Sequence, residues 1–415
     1  MAATNALLTN LAITNEALMV LRNQFVLVPR CARTIDDMFG KVGHKNGDTV
    51  SIRIPVRYKS AQQTAINLNN TTETNTSLQV LQRNIGVDFS TEDLKLKIDL
   101  FSDRILKPQM AQLASDIDQD GFKMALQGGG LTTPGAYTAG VPAAFTGADV
   151  STLRPFLDAG ARLDEAGAPR DHQRYVALTP SSSAAVVDGL KGLFQSATQI
   201  AEQYKTGLMG LAAGFEWVMT QNLPPFTTGT RIPAAGMTVN GGGNPVTGAS
   251  IVMADAAITT TVTAGDQFVI AGVYSINPLT RSATSKLQVF TVLTAGAFVA
   301  GAVTLSVYPS INVTSPNETV SAAAADGAIV TFLGAASTTT DVNLVWHRDA
   351  FMVAFCDLPT ELPGGEAYIA RDPVSGISIR FAKQWDPQLD VVYHRADVLY
   401  GFKLVRPQLA QRVQG

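Results

Sequence analysis

One segment of the sequence, residues 226–341, is almost free of charge. Only eight of its 116 residues are Asp, Glu, Lys or Arg, whereas such residues make up 16% of the whole chain. The segment is rich in Thr, Val, Ala and Gly. It contains runs with the period-two alternation of β-strands at 267–273, 287–293 and 303–308, with turn signals such as Asn240–Gly243 between runs. We therefore predict that it is an all-β module, a small barrel or sandwich, inserted into another domain.

The sequence on either side of this segment mixes helical and strand patterns. Apolar residues at helical spacing predict helices over residues 4–22, 103–127, 152–166 and 180–205. Alternating patterns predict strands over residues 346–355, 377–381 and 398–404. Because 415 residues exceed what one core usually organises, several domains are expected. The predicted fold class is α+β with an inserted all-β, barrel-like domain.

Two further strand-like runs, at 51–59 and 81–89, frame a polar stretch rich in Asn and Thr at 61–79. The simplest interpretation is a long hairpin over residues 48–90 with a large flexible tip. A two-stranded hairpin is only marginally stable in water, so this one needs another surface to pack on.

The first of these runs has one basic face. Apolar and aromatic residues occupy its even positions, and Arg53, Arg57 and Lys59 lie on the other face. We predict that these three residues contact a neighbouring subunit. A hairpin that folds back on its own domain is the alternative that the residues leave open.

The predicted N-terminal helix carries Leu7, Leu11 and Leu18 on one apolar stripe. Such a stripe can be covered by the helix's own subunit or by a neighbour. We predict that these leucines also take part in contacts between subunits.

No pattern in the sequence indicates catalysis. The four histidines are dispersed and none has metal-ligand spacing, and phosphate-binding, nucleophile-elbow and dinucleotide motifs are missing. Residues Asp116–Gly121 reproduce the start of a calcium-binding loop, but Gln127 stands where that loop requires a bidentate Glu. A solvated acidic helix face is the better interpretation. We expect no catalytic residue, no cofactor and no metal.

The charge balance argues against a protein that binds nucleic acid along its phosphate backbone. The chain has 31 Lys and Arg against 34 Asp and Glu, and binding along a phosphate backbone requires a surplus of cations. The sequence therefore favours a protein that encloses nucleic acid over one that binds it tightly.

The sequence shows no signal-peptide pattern and no apolar stretch long enough to cross a bilayer, so we expect synthesis in the cytoplasm with Cys31 and Cys356 reduced.

Short motifs along the chain resemble one family in their order and spacing. Residues 265–278 and 287–292 resemble the inserted domain of the Salmonella podophage-type coat proteins, and residues 48–56 resemble the strand that enters their extended loop. Residues 174–181 and 214–224 resemble their central domain, and residues 397–407 their closing strand. The pieces together cover nearly the whole chain.

This resemblance implies the Hong Kong-phage capsid fold with an inserted domain. Its implied parts are the N-terminal arm (1–33), the peripheral domain (34–130) with its extended loop (48–90) and spine helix (103–127), the first part of the axial domain (131–225), the inserted domain (226–341) and the return through both domains (342–415).

The resemblance also implies a function, that of a major capsid protein of a tailed phage. Such proteins self-assemble as pentamers and hexamers, with scaffolding and portal proteins, into an icosahedral shell, commonly of T=7 symmetry. The shell encloses double-stranded DNA without sequence-specific binding, and it forms in the cytoplasm of the bacterial host before becoming part of the virion.

Two other classes of function remain open from the residues. A β-rich tail-structure protein or surface adhesin fits the β content, although the missing signal peptide and the long split α/β region argue against it. An enzyme would require a convergent polar site, and the sequence offers none.

Overall fold

The computed structural model describes fifteen parts of the chain: residues 10–33, 49–54, 58, 74–90, 105–127, 131–132, 137–138, 141–142, 150–189, 210–230, 237–255, 260–314, 317–361, 365–372 and 376–414. They form two compact units. The first contains the described residues of 1–54, 75–121 and 351–405, and the second contains those of 55–74, 122–350 and 406–415.

The helices of the described residues are α1 (Asn10–Gln24), α2 (Lys107–Gln127), α3 (Arg154–Glu165) and α4 (Pro180–Gly189). The strands before the charge-poor segment are β1 (Ala32–Arg33), β2 (Thr49–Ile54), β3 (Thr74–Gln79), β4 (Leu81–Ser90), β5 (Leu131–Thr132), β6 (Tyr137–Thr138), β7 (Val141–Pro142), β8 (Arg174–Leu178), β9 (Leu211–Ala212) and β10 (Phe215–Met219).

The strands within the charge-poor segment are β11 (Phe226–Thr227), β12 (Thr238–Val239), β13 (Gly248–Ala254), β14 (Thr261–Val262), β15 (Gln267–Ile276), β16 (Ala283–Val292), β17 (Gly296–Ala297), β18 (Ala302–Ile311), β19 (Val330–Phe332) and β20 (Thr339–Thr340). Those after it are β21 (Asn343–His347), β22 (Phe351–Cys356), β23 (Glu366–Arg371), β24 (Ser378–Asp386), β25 (Val391–Leu404) and β26 (Ala410–Val413).

The first unit is built on the long strand β25. Its sheet has the order β1-β22-β25-β24-β23, and β4 pairs with β25 as well. Phe381, Val392, Ala396 and Val398 are buried in this sheet. Helix α1 packs against β23 and β24. The sheet therefore joins the start of the chain to residues more than 300 positions later.

The predicted hairpin over 48–90 is corrected in its pairing. Strand β2 pairs with β3, whereas the run at 81–89 forms β4 and pairs along its whole length with β25, from Leu81 opposite Tyr400 to Ser90 opposite Val391. The long strand β25 offers β4 ten paired residues, so the backbone groups on that edge of β4 find partners. The polar stretch at 59–73 lies outside the described residues, and Tyr58 is exposed.

The second unit contains a mixed sheet of order β5-β26-β21-β8-β10-β9. Helix α3 packs against β21 and β26. Its Phe156 ring lies edge-on to Trp217 of β10, with 5.1 Å between the ring centroids. Helix α4 begins after Thr179, whose hydroxyl accepts the backbone N–H of Ser182 at 3.3 Å.

The charge-poor segment forms a closed barrel in the same unit. Its sheet has the order β12-β13-β18-β16-β15-β19, and the two outer strands meet because Val330 N donates to Met237 O at 2.9 Å and Val239 N donates to Ala328 O at 2.9 Å. Apolar side chains fill the interior, with Phe268 at the centre between Phe290 and Phe332. The predicted barrel-like β domain is confirmed.

The two ends of this barrel leave it side by side. Strand β11 pairs antiparallel with β20, so that Phe226 lies opposite Thr340 and Thr227 opposite Thr339. The Thr227 and Thr339 hydroxyls are 2.9 Å apart. These short strands form a stem through which the chain enters and leaves the barrel.

Arg412 of β26 lies at the foot of this stem and is fully buried. Its guanidinium lies over the ring of Phe226 at 4.8 Å and donates hydrogen bonds to Gly265 O at 2.5 Å and Leu126 O at 3.3 Å. Burial lowers the pKa of Arg412 to about 10, although Asp266 opposes this shift. One side chain thus connects the end of helix α2, the base of the barrel and the strand β26.

The barrel segment, residues 226–341, is expected to fold when expressed alone, because it has its own core and its ends already meet. The measurement is amide dispersion by NMR, with dispersed β-type shifts expected. Phe268→Ala in the same segment serves as the control, because truncating a central core residue costs about 3–5 kcal/mol. A collapsed spectrum for the unmutated segment would refute the prediction.

Replacement of Arg412 by Met is expected to lower the free energy of unfolding by about 2–5 kcal/mol, because two buried carbonyl oxygens lose their donor. Arg154→Met is the control. That arginine is 68% exposed and pairs with Asp158 of the same helix, so its loss should cost less than about 1 kcal/mol. Urea denaturation of both variants tests this prediction, and equal effects would contradict it.

A second stability prediction concerns pH. The His394 ring of the first unit lies between Phe89 and Phe381, and burial, helped by Lys383, lowers its pKa from 6.5 to about 4. The unfolded state therefore binds more protons between these values, and the free energy of unfolding falls as pH drops from about 6.5 to about 4. His394→Phe removes this contribution. Its stability relative to the unmutated protein should rise as pH falls from 7.5 to 5, and parallel curves would contradict the assignment.

Candidate functional site

Among the described residues, no group of three or more His, Cys, Asp or Glu side chains is arranged to hold a metal ion. None of the helices in the described part of the chain is long and apolar enough to cross a bilayer. The candidates are the predicted contact residues and the buried groups that hold elements of the fold together.

The predicted contact residues lie in different parts of the chain. Leu18 is only 8% exposed, so its own chain already covers most of its side chain. Its contact with a neighbouring subunit, like that of the other five residues, stays a prediction. Leu11 lies in α1 and Arg53 in β2, while Leu7, Arg57 and Lys59 lie outside the described residues.

Two acidic residues of Asp116–Gly121, the segment that resembles the start of a calcium-binding loop, join helix α2 to strand β4. Asp116 and Asp120 are four residues apart and share one helix face. Both contact Arg83 of β4, at 3.2 Å and 2.6 Å, and the Tyr400 hydroxyl also donates to Asp120. The expectation of a merely solvated acidic face is wrong for these two carboxylates, because they hold the sheet against the helix.

Burial and hydrogen bonding shift the pKa values of Arg83 and Tyr400. Burial alone would lower the pKa of Arg83, but its hydrogen bonds to Tyr400 and Asp120 have the larger effect, so the pKa of Arg83 is raised. Burial and the hydrogen bond to Asp120 raise the pKa of Tyr400. Arg83 therefore stays cationic and the Tyr400 hydroxyl stays protonated throughout the neutral range.

Asp118 lies on the opposite face of the same helix and is fully buried. Its carboxylate accepts the backbone N–H of Val26 at 2.6 Å and that of Leu27 at 3.3 Å. Burial raises the pKa of Asp118 to about 7, although these hydrogen bonds oppose the shift. This carboxylate binds the backbone that follows helix α1.

A second buried carboxylate, that of Asp397, joins three strands. It accepts hydrogen bonds from Arg380 of β24 at 2.7 Å, from Arg395 of β25 at 2.7 Å and from Gln82 of β4 at 3.0 Å. Sequence reasoning missed it. The available signal was an acidic residue placed directly before the alternating apolar run that ends strand β25.

The tip of the β24–β25 hairpin exposes large apolar side chains. Trp385, Leu389 and Tyr393 are 56%, 64% and 42% exposed. Beside them is a cleft of about 700 Å³ whose lining includes Lys383 and Arg395. Trp, Tyr and Arg are the residue types that most often dominate protein interfaces, so this tip is a candidate contact surface.

Three solved structures from phages match most of the length of the chain. A structure from Mycobacterium phage Che8 has a TM-score of 0.46 and 12% identity, covering 94% of this chain and 90% of that one. The capsid of Ralstonia phage GP4 has a TM-score of 0.46 and 10% identity, covering 93% and 86%. The mature capsid of bacteriophage PhiM1 has a TM-score of 0.40 and 12% identity, covering 89% and 82%.

The search of curated proteins gave no match to this sequence. A family model does match, and it extends almost from one end of the chain to the other. The model is that of the P22 coat protein, gene protein 5, and it covers residues 2–413. The motifs at 48–56, 265–278 and 397–407, the barrel and the long helix α2 all lie within this match. The chain therefore belongs to the P22 coat protein family and is a major capsid protein that forms the shell of a tailed phage.

Proposed function

We propose that this capsid protein assembles with a scaffolding protein and a portal protein into a procapsid, with T=7 icosahedral symmetry, that encloses double-stranded DNA. The observation that carries the proposal is the family match over residues 2–413. Pentamers and hexamers of the chain would form the faces of the shell. The domain boundaries given by the family resemblance, with an N-terminal arm at 1–33 and an extended loop at 48–90, belong to the same proposal.

The relation to DNA is enclosure. A sequence with 31 cationic and 34 anionic side chains has no surplus with which to neutralise a phosphate backbone. A shell interior that held DNA tightly would also oppose its packaging and its release. Weak, sequence-independent contact suits this task.

The protein acts as a building block without catalysis. Its family consists of structural capsid proteins. In the described residues, the buried charged groups Asp118, Asp397 and Arg412 are all engaged in joining elements of the fold. All three side chains are fully buried in the chain.

Co-expression with the scaffolding protein encoded by the same phage tests the assembly proposal. Hollow, closed shells are expected in sucrose gradients and by electron microscopy. Fibres or tubes formed by the chain, or small monodisperse particles in the presence of scaffold, would contradict it and would favour a tail-structure or adhesin role.

The basic face of the extended loop is proposed to act between subunits. Arg53, Arg57 and Lys59 lie on one face of a strand pattern that is followed by a polar stretch rich in Asn and Thr. A neighbouring subunit can supply acidic partners and apolar cover. An exposed ion pair contributes only about 0–1 kcal/mol, but the same contact recurs in every subunit of the shell.

Arg57→Asp is therefore expected to leave the unfolding transition of the isolated subunit unchanged while reducing the yield of particles severalfold. Arg57→Lys keeps the charge and should assemble normally. The measurements are denaturant unfolding of the subunit and particle yield on sucrose gradients. Normal particles formed by a destabilised subunit would show that the loop packs only within its own chain.

A further inference from the structure

We infer that Asp118 is a positioning residue for shell assembly, because it fixes where the N-terminal helix α1 leaves the body of the subunit. The inference rests on the function of the chain as a shell-forming capsid protein. It concerns the joint formed by residues 25–31, which connects α1 to strand β1.

The first observation is how the carboxylate meets the joint. Both oxygens of Asp118 lie 3.3 Å from Leu27 N, and Oδ2 lies 2.6 Å from Val26 N. Two successive backbone N–H groups thus point at one carboxyl group that has no contact with solvent. A buried polar group that loses its hydrogen-bond partner is costly, because water cannot replace that partner. The joint cannot shift without leaving these buried donors and acceptors unpaired.

The second observation lies one helical turn further along α2. At Gly121, a Cβ atom would lie 2.5 Å from Cδ2 of Leu27 and 3.2 Å from Cζ of Phe402. Glycine inside a helix is unfavourable by about 1 kcal/mol relative to Ala, so its presence here matches a need for close approach. Residues 118 and 121 share a helix face, and both act on Leu27.

Contacts among residues 26–31 also hold the joint together. Arg30 Nη1 donates to Val26 O at 2.8 Å, Arg30 N donates to Leu27 O at 2.9 Å, and Cys31 Sγ lies 3.3 Å from Leu27 O. Leu27 and Val28 are fully buried. The turn is therefore a rigid unit bound to α2, and it is not a flexible linker.

The direction of α1 depends on this joint. Fifteen helical residues extend about 22 Å at 1.5 Å per residue, so a 10° rotation at the joint would move the far end by about 4 Å. On the body, α1 is held by buried Ala17 and Leu21 and by a partly exposed ion pair between Arg22 and Asp372. A displacement of this size would remove any contact made by the exposed face of α1, which includes Met19 at 63% exposure.

The test uses the full-length chain and three substitutions. Asp118→Ala removes both acceptors, Asp118→Asn keeps one, and Asp116→Ala is the matched control, since that carboxylate lies on the same helix but binds Arg83. Hydrogen exchange of the amides of α1 is compared with that of β25, and particle yield with scaffold is measured in parallel. With Asp118→Ala, exchange in α1 should accelerate about tenfold or more while β25 is unchanged, since the buried hydrogen bonds that hold the joint are lost.

Particle yield should fall most for Asp118→Ala, less for Asp118→Asn and least for Asp116→Ala. Should Asp118→Ala fail to fold, Asp118→Asn and Gly121→Ala are compared with the control in its place, because Gly121→Ala displaces Leu27 and leaves the charge intact. Equal acceleration in α1 and β25, or the same particle yield from Asp118 and Asp116 variants, overturns the inference. Failure of the unmutated chain to form shells would contradict the assembly function, and hydrogen exchange would still decide the role of Asp118.

Discussion

An ionisable group that has no contact with solvent must find all its partners inside the protein, and three groups of this kind join elements that are far apart in the sequence. Asp118 binds the backbone after helix α1, Asp397 binds three strands of the first unit, and Arg412 binds the foot of the barrel. Each tolerates few alternative arrangements, because an unpaired charge in a medium of low polarity is very costly. Apolar packing provides most of the cohesion of each unit, and these groups select one arrangement among many that would bury similar area.

Helix α2 shows how a single element can serve several partners. Its residues 116 and 120 face strand β4, and residue 118 faces the N-terminal joint, because two residues along a helix turn the side chain through about 200°. The spacing that imitates a calcium loop is thus a consequence of placing acids on opposite faces. A chelating loop would need the same carboxylates to converge on one point.

Local patterns predicted much of this structure. The alternation at 267–273 and 303–308 lies within strands β15 and β18, and the periodicity at 103–127 and 152–166 corresponds to helices α2 and α3. Local patterns could not predict which strands pair when the two strands are far apart in the sequence. The run at 81–89 was correctly identified as a strand, yet its partner is β25, and alternation carries no information on which of several edges a strand will join. Burial of Leu18 was equally undecided, because an apolar stripe does not reveal what covers it.

The barrel enters and leaves the host through the stem of β11 and β20, where Thr227 and Thr339 are direct neighbours across the pair. The two chain ends at the stem are adjacent. Their spacing in the host domain is therefore the same whether a short turn or a complete domain joins them. The stem is therefore a point at which evolution can exchange, enlarge or delete a whole module without re-spacing the strands on either side. Subunits with the same body can in this way carry different inserted domains after a single genetic insertion.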